Sequence, residues 1–438
     1  MIEYRNLRVA LLGAGSVGSQ VASLLLEHRD ELANRVGAGL DLVGVAVRDM
    51  DAARDADIPK ELLTTDAESL ILGSDIVVEL IGGLEPARTH ILNAINSGAD
   101  VITANKALLA THGPELFEAA GQVGAQLYYE AAVGGAIPII RPLRDSLAGD
   151  RVQRILGIVN GTTNFILDLM DREGESLEQA LKTAQDLGYA EADPTADVEG
   201  YDAAQKAAIL ASLAFHSTVP LESVYREGIT GITHEQVVKA RRAGFVIKLL
   251  AICERLTGPE GQDGVSVRVH PALIPDAHPL AAVHGANNAV FLEAEAAGNL
   301  MFYGAGAGGI ETASAVLGDV VSAARRHVAG GPGVAESAHA NLPVLPIDAV
   351  TTRYQITLAV LDRPGVLATI ATEFSEHGVS VEAVEQHAAE VRPGAASTAT
   401  LVIGTHEATE SSLAATVAAL KASDVVSSVE SVLRVEGL

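Results

Sequence analysis

The hydrophobic pattern divides the chain into three parts. In the first part, short aliphatic runs alternate with stretches in which apolar residues recur at helical spacing. Such alternation predicts a parallel β-sheet with crossover helices, that is, an α/β domain. We assign this domain to residues 1–141, with strands predicted at Arg8–Leu12, Leu42–Val47, Ile76–Leu80, Val101–Thr103 and Gln126–Glu130.

The alternation loosens into an α+β pattern between Val152 and about Arg326, with strands predicted near Ile155–Val159 and Val265–His270. We assign residues 142–327 to this second domain. Its most apolar stretch, Phe245–Cys253, is predicted as a short helix that Lys248 interrupts, so we expect no membrane-spanning segment.

The third part follows a stretch without periodicity, residues 328–350, which predicts a linker. The helix- and strand-breaking residues in it are Gly330, Gly331, Pro332, Gly333, Pro343 and Pro346. From residue 351 to residue 438, the patterns follow the order β-α-β-β-α-β, which is ferredoxin-like. The predicted elements are a strand through Tyr354–Val360, a helix ending at Gly378, strands at Val379–Val384 and Thr400–Ile403, a helix at Ser412–Ala422 and a strand at Ser431–Val435.

Composition narrows the functional classes. Thirty Lys+Arg against 56 Asp+Glu give a formal net charge of -26, which argues against nucleic-acid binding. The single cysteine, Cys253, excludes an intrachain disulfide and a thiolate metal cluster, and its apolar neighbours predict a packed thiol. Met1–Arg8 has no basic region followed by an apolar one, so we expect no export signal and a cytoplasmic protein.

A glycine-rich turn follows the first predicted strand. Its residues are Gly13, Ala14, Gly15, Ser16, Val17 and Gly18, and a helical pattern begins directly after it. In this context the turn predicts a dinucleotide site, with the pyrophosphate on free N–H groups at the start of the helix. A turn that merely packs is the alternative.

Two basic residues stand at predicted strand ends. Arg48 ends the second strand, where a guanidinium suits the 2′-phosphate of NADP better than the ribose of NAD. An exposed arginine without such a role is the alternative. Lys106 follows a later strand, at the edge of the sheet where ligands of such folds bind.

An acidic segment, residues 184–206, runs into a helix that carries Asp202 and Lys206 four positions apart. The pair heads an apolar stripe, which predicts partial burial at a cleft where a lysine gives a proton to a developing alkoxide. Spacing alone equally allows a helix-end ion pair.

The acidic segment resembles the signature of homoserine dehydrogenases. The matching residues are Ala184, Gly188, Asp193, Pro194, Asp197, Gly200, Asp202 and Lys206. The similarity continues in Asn160–Asn164, in Glu130–Pro138 and in Gly304–Gly308, so it covers nearly the whole chain. It implies a Rossmann-type NAD(P)-binding domain followed by an α+β catalytic domain.

The resemblance implies reversible NAD(P)H-dependent reduction of L-aspartate 4-semialdehyde to L-homoserine, in the biosynthesis of threonine, methionine and isoleucine. Lys206 would be the proton donor, and Lys106 would act near the substrate and the nicotinamide. Glu191 and Asp202 would bind the ammonium and hydroxyl groups of the substrate, Gly188 would contact it through the backbone, and Asp197 would support the pocket. NADP is the expected cofactor, with NAD possible.

The family also binds a monovalent cation, usually sodium. The matching positions are Glu130 and the backbone carbonyls of Val133, Gly135 and Ile137, and oxygen ligands suit a hard cation. A glutamate without a metal is the alternative. Gly306 corresponds to a contact on the cofactor side, and residues of about 305–326 are expected to pack back on the first domain.

The C-terminal domain resembles the ACT regulatory domain, which binds free amino acids. Asp362–Leu367 joins its first strand to its first helix. The combination implies feedback inhibition by L-threonine and a homodimer or homotetramer. A plain dimerisation module is the alternative.

Two other functions compete with this interpretation. An aldehyde dehydrogenase on a similar fold needs an activated cysteine, and the setting of Cys253 does not suit one. An amino-acid-sensing binding protein with a vestigial nucleotide fold would leave Lys206 without a catalytic role.

Overall fold

The structure is a computed structural model that describes residues 5–258, 261–331, 333, 336–388 and 398–437. Pro332 of the predicted linker and the first four residues of the N-terminus lie outside the described residues. The chain folds into two compact units. The first consists of Met1–Gly161, Asp202–Val224 and Ala286–Leu342, and the second of Thr162–Tyr201, Tyr225–Gly285 and Pro343–Leu438.

Strands and helices alternate in the first third of the chain. They are β1 (Leu7–Leu12), α1 (Ser16–Glu27), α2 (Arg29–Val36), β2 (Leu40–Ala46), β3 (Leu63–Thr64), α3 (Ala67–Leu72), β4 (Ile76–Glu79), α4 (Ala87–Asn96), β5 (Asp100–Thr103), α5 (Lys106–Val123) and β6 (Leu127–Tyr128).

The middle of the chain mixes helices with longer strands. They are β7 (Val152–Ile158), α6 (Gly161–Arg172), α7 (Leu177–Asp186), α8 (Thr195–Val198), α9 (Tyr201–Phe215), β8 (Tyr225–Arg226), α10 (His234–Arg242), β9 (Phe245–Thr257), β10 (Asp263–Pro275), β11 (Asn287–Ala294), β12 (Gly298–Ala305) and α11 (Gly309–Ala329).

The C-terminal part has the predicted ferredoxin-like order with one short extra strand. Its elements are β13 (Thr351–Leu361), α12 (Val366–Glu376), β14 (Val381–Ala388), β15 (Thr398–Thr405), β16 (Ala408–Thr409), α13 (Glu410–Ala422) and β17 (Val426–Val435).

In the first unit, β1 to β6 form one parallel sheet in the order β3-β2-β1-β4-β5-β6. This order confirms the Rossmann-type prediction and places the carboxyl ends of β1 and β4 next to each other. The prediction of a strand over Gln126–Glu130 was too long, because β6 ends at Tyr128 and Glu130 begins a single turn of 3₁₀ helix.

The core of this sheet contains a contribution from late in the chain. Ala313, Val316 and Val320 of α11 belong to the same buried cluster as Val9 and Leu11 of β1. Helix α11 therefore covers the sheet that begins the chain. Strands β7, β11 and β12 form an antiparallel group in the same unit.

In the second unit, β9 and β10 pair antiparallel along their whole lengths. The prediction of a helix over Phe245–Cys253 is wrong, because this stretch lies within β9. Every side chain from Ile247 to Cys253 is buried, so both faces of the strand are covered and no alternation is visible in the sequence. A short continuous apolar run does not distinguish a buried strand from a helix.

The C-terminal sheet continues from β10. Strand β17 pairs with β10 in parallel at Ala272 and Leu273, and the sheet order is β9-β10-β17-β13-β15-β14. Residues of the predicted linker also join this sheet, since Val265 of β10 donates to the carbonyl of Pro343 and accepts from the amide of Leu345. Within the ranges described, no helix is long and apolar enough to cross a membrane.

Candidate active site

The glycine-rich turn is built by close backbone contacts. Gly13 has a φ of +100° at the end of β1, and a Cβ there would lie 2.6 Å from the carbonyl oxygen of Leu80. A Cβ on Gly18 would lie only 2.1 Å from the carbonyl oxygen of Gly13. The first and third glycines therefore allow β1, α1 and the end of β4 to pack together.

The middle glycine serves a different purpose. Gly15 precedes α1 and is exposed, and a Cβ there would meet no atom within 4 Å. No side chain caps this end of the helix. The amides of the first turn, which include Ser16 and Val17, are therefore available to an anion that approaches Gly15 closely.

Arg48 lies where the sequence placed it, exposed just beyond the end of β2. The neighbouring Arg54 instead closes its own loop by donating to the carbonyls of Asp49, Met50 and Ala52. Gly306 follows β12, and a Cβ there would lie 2.2 Å from the side chain of Asn288. Its carbonyl oxygen also comes within 2.4 Å of a Cβ position on Gly135.

A buried polar network positions the start of α5, where Lys106 is the first residue. The Glu79 carboxylate accepts hydrogen bonds from the Ile81 amide at 2.7 Å and from the Thr103 hydroxyl at 2.7 Å. The same hydroxyl accepts from the Asn105 amide at 3.0 Å, and the Asn105 side chain caps α5. Glu79 is fully buried at the end of β4, a strand of four residues. In the sequence, the only sign of this network is an acidic residue at the end of an aliphatic run.

Asp202 joins two lysines from distant parts of the first unit. Its Oδ2 accepts from Lys206 Nζ at 2.7 Å and from Asn160 Nδ2 at 2.9 Å, and its Oδ1 lies 3.1 Å from Lys106 Nζ. Lys206 Nζ also donates to the carbonyl of Val159 at 2.7 Å. The predicted pair is therefore the centre of a cluster that also includes Lys106.

The charge of Asp202 depends on its neighbours in this cluster. Burial by itself would raise the pKa of Asp202, but the nearby ammonium groups of Lys206 and Lys106 and the hydrogen bonds from Lys206 and Asn160 hold that pKa far below its usual range. Asp202 is therefore a carboxylate at neutral pH. Two of the three N–H groups of Lys206 have acceptors, and among the described residues the third has none.

The remaining substrate residues predicted from the sequence lie in the second unit. Gly188 and Glu191 are exposed in the turn after α7, and Asp197 is half-buried in α8. Asp193 stabilises this turn by accepting from the amide and the hydroxyl of Thr195. Lys206, Asp202 and Lys106 are brought together in the first unit. Gly188, Glu191 and Asp197 belong to the second unit.

The Glu130 side chain is already fully engaged. Its Oε1 accepts from the amides of Ile139 and Ile140 at 2.6 and 2.8 Å, and its Oε2 accepts from the amide and Nε of Arg141 at 2.9 and 2.8 Å. The carboxylate therefore does not fit a cation ligand. A cation here would depend on backbone carbonyls such as those of Val133, Gly135 and Ile137. In the described part of the chain, no group of three or more His, Cys, Asp or Glu side chains could hold a metal.

A second buried carboxylate lies behind Glu130. Asp319 of α11 accepts from the Glu130 amide at 2.8 Å, and burial raises its pKa to about 7. This contact attaches α11 to the 3₁₀ turn. Cys253 is fully buried in β9, and burial raises the pKa of its thiol to about 12, which opposes a nucleophilic thiolate.

Three family profiles match the chain. Residues 13–130 match the family profile "Homoserine dehydrogenase, NAD binding domain", residues 138–321 match "Homoserine dehydrogenase", and residues 354–424 match "ACT domain". The homoserine dehydrogenase of Corynebacterium glutamicum is 54% identical over 430 residues, which cover 98% of this chain and 95% of that protein. The chain belongs to the homoserine dehydrogenase family. It is an NAD(P)-dependent oxidoreductase.

Solved structures agree with this family and its fold. A homoserine dehydrogenase from Thiobacillus denitrificans has a TM-score of 0.90 at 40% identity, covering 99% of both chains. A hyperthermophilic archaeal homoserine dehydrogenase in complex with NADPH has a TM-score of 0.61 at 26% identity, covering 75% of this chain and 99% of that one. The nicotinamide cofactor and the ACT domain are thus properties of the family to which the chain belongs.

The sequence did not reveal every residue of the site. Asn160 belongs to the matched segment Asn160–Asn164, for which the sequence predicts no individual roles, yet its side chain donates to Asp202. Glu79 and Thr103 were not assigned a role, although together they fix the turn before Lys106. The signal for Glu79 was a charged residue within an otherwise aliphatic strand, which is rare without a partner.

Proposed function

We propose that this protein catalyses the reversible NADPH-dependent reduction of L-aspartate 4-semialdehyde to L-homoserine. The proposal rests on the hydrogen bonds of the Lys206 ammonium. Two of its N–H groups donate to protein acceptors, and the third is available to donate to the substrate. A buried, oriented ammonium with a spare donor suits protonation of an aldehyde oxygen as it becomes an alkoxide. The nicotinamide, when bound, supplies the hydride that reaches the aldehyde carbon.

The neighbouring residues have supporting roles in this proposal. Asp202 orients Lys206 and Lys106, and it has acceptor capacity left for the substrate hydroxyl, since a carboxylate offers about four lone-pair sites. Glu191 would bind the substrate ammonium, the backbone of Gly188 would contact the substrate, and Asp197 would support the pocket. A zwitterionic aldehyde requires protein carboxylates to bind its ammonium group and a protein cation to bind its aldehyde oxygen.

The cofactor preference is a separate part of the proposal. Arg48 is exposed just after the end of β2. Among the residues that the structure describes, no side chain forms a hydrogen bond or an ion pair with it. A guanidinium at this position suits the 2′-phosphate of NADP. The ratio of kcat/KM for NADPH to that for NADH should fall in Arg48→Ala. A wild-type preference for NADH would contradict this part.

Three finer assignments accompany the reaction. L-threonine would bind the C-terminal domain as a feedback inhibitor. A monovalent cation, sodium, would bind the carbonyls near Glu130, and the chain would form a homodimer or homotetramer. Threonine should raise the melting temperature by binding the native state. Replacing sodium by a bulky organic cation should lower stability or activity. Light scattering coupled to size exclusion gives the oligomeric state.

The deciding experiment follows the absorbance of NADPH with aspartate semialdehyde as substrate. Wild type should turn over, and Lys206→Ala should lose kcat far more than it raises KM, because the donated proton is needed only in the transition state. Near-normal turnover by Lys206→Ala would overturn the proton-donor assignment. No turnover by wild type with either cofactor, together with threonine binding, would favour the amino-acid-sensing binding protein.

A further inference from the structure

The segment Tyr225–Thr230, which we call the bridging segment, is fixed on β10 in the second unit. Its first two residues form β8, which pairs in parallel with β10 so that Tyr225 lies opposite Arg268. The Glu227 amide then donates to the carbonyl of Val269 at 2.7 Å. The bridging segment therefore has a rigid base on the sheet.

One side of the bridging segment holds the backbone of the acidic segment. The guanidinium of Arg226 donates to the carbonyl of Glu199, and its Cζ lies 3.5 Å from the ring centroid of Tyr201. The hydroxyl of Thr230 donates to the Glu199 carboxylate at 3.0 Å. Glu199 directly follows α8, which contains Asp197, so these contacts fix the end of that helix.

The two backbones also approach each other very closely. The Ile229 amide donates to the carbonyl of Val198 at 2.8 Å. A Cβ on Gly228 would lie 2.3 Å from that same carbonyl oxygen and 2.6 Å from the Cα of Glu199. No side chain larger than hydrogen fits at residue 228 unless the end of α8 moves.

The other side of the bridging segment is held by the C-terminal domain. Arg434 of β17 donates from Nη1 to Glu227 Oε1 at 3.0 Å, and from Nη2 to the hydroxyl of Tyr225 at 3.4 Å. The same guanidinium donates from Nε to Glu410 at 3.0 Å, at the start of α13. The side chain of Arg434 is 11% exposed and that of Glu410 5%, so water weakens this pair little, whereas Glu227 is 41% exposed.

We propose that the bridging segment couples the C-terminal domain to substrate binding, with Arg226 and Glu227 as positioning residues. A displacement of β17 would move Arg434, and through Glu227 and Arg226 it would shift the backbone at Glu199 and the end of α8. This inference rests on the proposed function in that the acidic segment binds the substrate and the C-terminal domain binds threonine. Neither positioning residue needs to touch the substrate.

The first test removes the charge that Arg434 contacts in the bridging segment. Glu227→Gln keeps the shape of the side chain and leaves the Arg434–Glu410 pair intact. The matched control is Glu382→Gln, which removes an exposed carboxylate of the C-terminal domain that pairs with Arg353 at 3.1 Å and does not contact Arg434. KM for aspartate semialdehyde should rise about three- to tenfold in Glu227→Gln, with kcat within about twofold, and should not change in the control.

Threonine provides an independent readout on the same variants. Its effect on the melting temperature should persist in Glu227→Gln, because its site is untouched, while its inhibition of the initial rate should weaken. A purely structural role of Glu227 would lower the melting temperature and leave both KM and the threonine response as in wild type. That result would overturn the inference.

A second pair of variants tests the contact with α8. Gly228→Ala places a methyl group against Val198 and Glu199, whereas Gly231→Ala places one where no atom lies within 4 Å. Gly228→Ala should raise KM for the semialdehyde about tenfold or more relative to Gly231→Ala, while KM for NADPH stays the same. Equal KM values for the semialdehyde in the two variants would contradict the coupling.

The outcomes separate this inference from the proposed function. If wild type does not turn over aspartate semialdehyde with either cofactor, the proposed function is wrong. If wild type turns over and both test variants keep wild-type KM and threonine response, the coupling alone is wrong. If threonine affects neither rate nor melting temperature in wild type, the effector assignment fails, and a rise of KM in Glu227→Gln still supports the coupling.

Discussion

Replacing Gly15 with alanine should weaken cofactor binding without harming the fold. The added Cβ meets no protein atom within 4 Å, and the backbone at Gly15, with φ -74° and ψ -161°, is open to alanine. A glycine-to-alanine change at such a position stabilises a protein by about 0.4–1 kcal/mol, because it restricts the unfolded chain. The melting temperature should therefore stay constant or rise slightly.

The same methyl group occupies the space through which a pyrophosphate approaches the first turn of α1. Each charge-assisted hydrogen bond from those amides is worth about 1.5–3 kcal/mol. Losing one of them should weaken NADPH binding about 10- to 100-fold. The dissociation constant can be measured by titrating the fluorescence of NADPH, and KM for NADPH at saturating semialdehyde gives a second value.

Gly18→Ala is the matched comparison. Its Cβ would lie 2.1 Å from a backbone oxygen, so the turn must distort, and overpacking of this kind costs about 1–3 kcal/mol. Gly18→Ala should therefore lose both stability and NADPH affinity, whereas Gly15→Ala should lose affinity alone. Wild-type NADPH affinity in a well-folded Gly15→Ala would refute the assignment of this turn as the pyrophosphate site.

Three further perturbations test the charged groups. Asp202→Asn should lower kcat/KM about 100-fold, because it removes the carboxylate that orients Lys206 and Lys106, and steady-state kinetics measures this loss. Lys248, whose pKa burial lowers from 10.5 to about 8, should make the free energy of unfolding rise between pH 8 and pH 10.5 by up to about 3 kcal/mol. The unfolded chain binds more protons than the folded one in that window, and denaturant titrations of wild type and Lys248→Met isolate the contribution. Glu130→Gln should cost about 3–5 kcal/mol of stability, since a buried carboxylate pairs there with four N–H donors, and its melting temperature would show this.

Each of these has a result that contradicts it. Unchanged kcat/KM in Asp202→Asn would mean that the cluster is a structural ion pair. A pH slope shared by wild type and Lys248→Met would place the titration elsewhere. A Glu130→Gln protein as stable as wild type would mean that the four hydrogen bonds contribute little.

The sequence alone determined the features that depend on residues close to each other along the chain. The spacing of Gly13, Gly15 and Gly18 is a local requirement of one turn, so β1, the turn and the start of α1 lie where the pattern predicted them. The order of strands and helices in the C-terminal domain was also predicted, because Tyr354 to Val360 and the elements after it keep clean periodicities. Asp202 and Lys206 face each other because four positions make about one helical turn.

Only the tertiary structure decided which distant groups meet and which strands are covered on both faces. Phe245–Cys253 was predicted as a helix because packing on both sides of β9 removes the alternation by which a strand is recognised. Lys106 and Asn160 lie far along the chain from Asp202, and their contacts with it arise only when the segments after β5 and β7 pack against α9. The carboxylate of Glu130 was expected near a cation, and the fold instead surrounds it with the amides of Ile139 to Arg141. A sequence displays the periodicity of one segment, whereas contacts such as these arise from the packing of segments against each other.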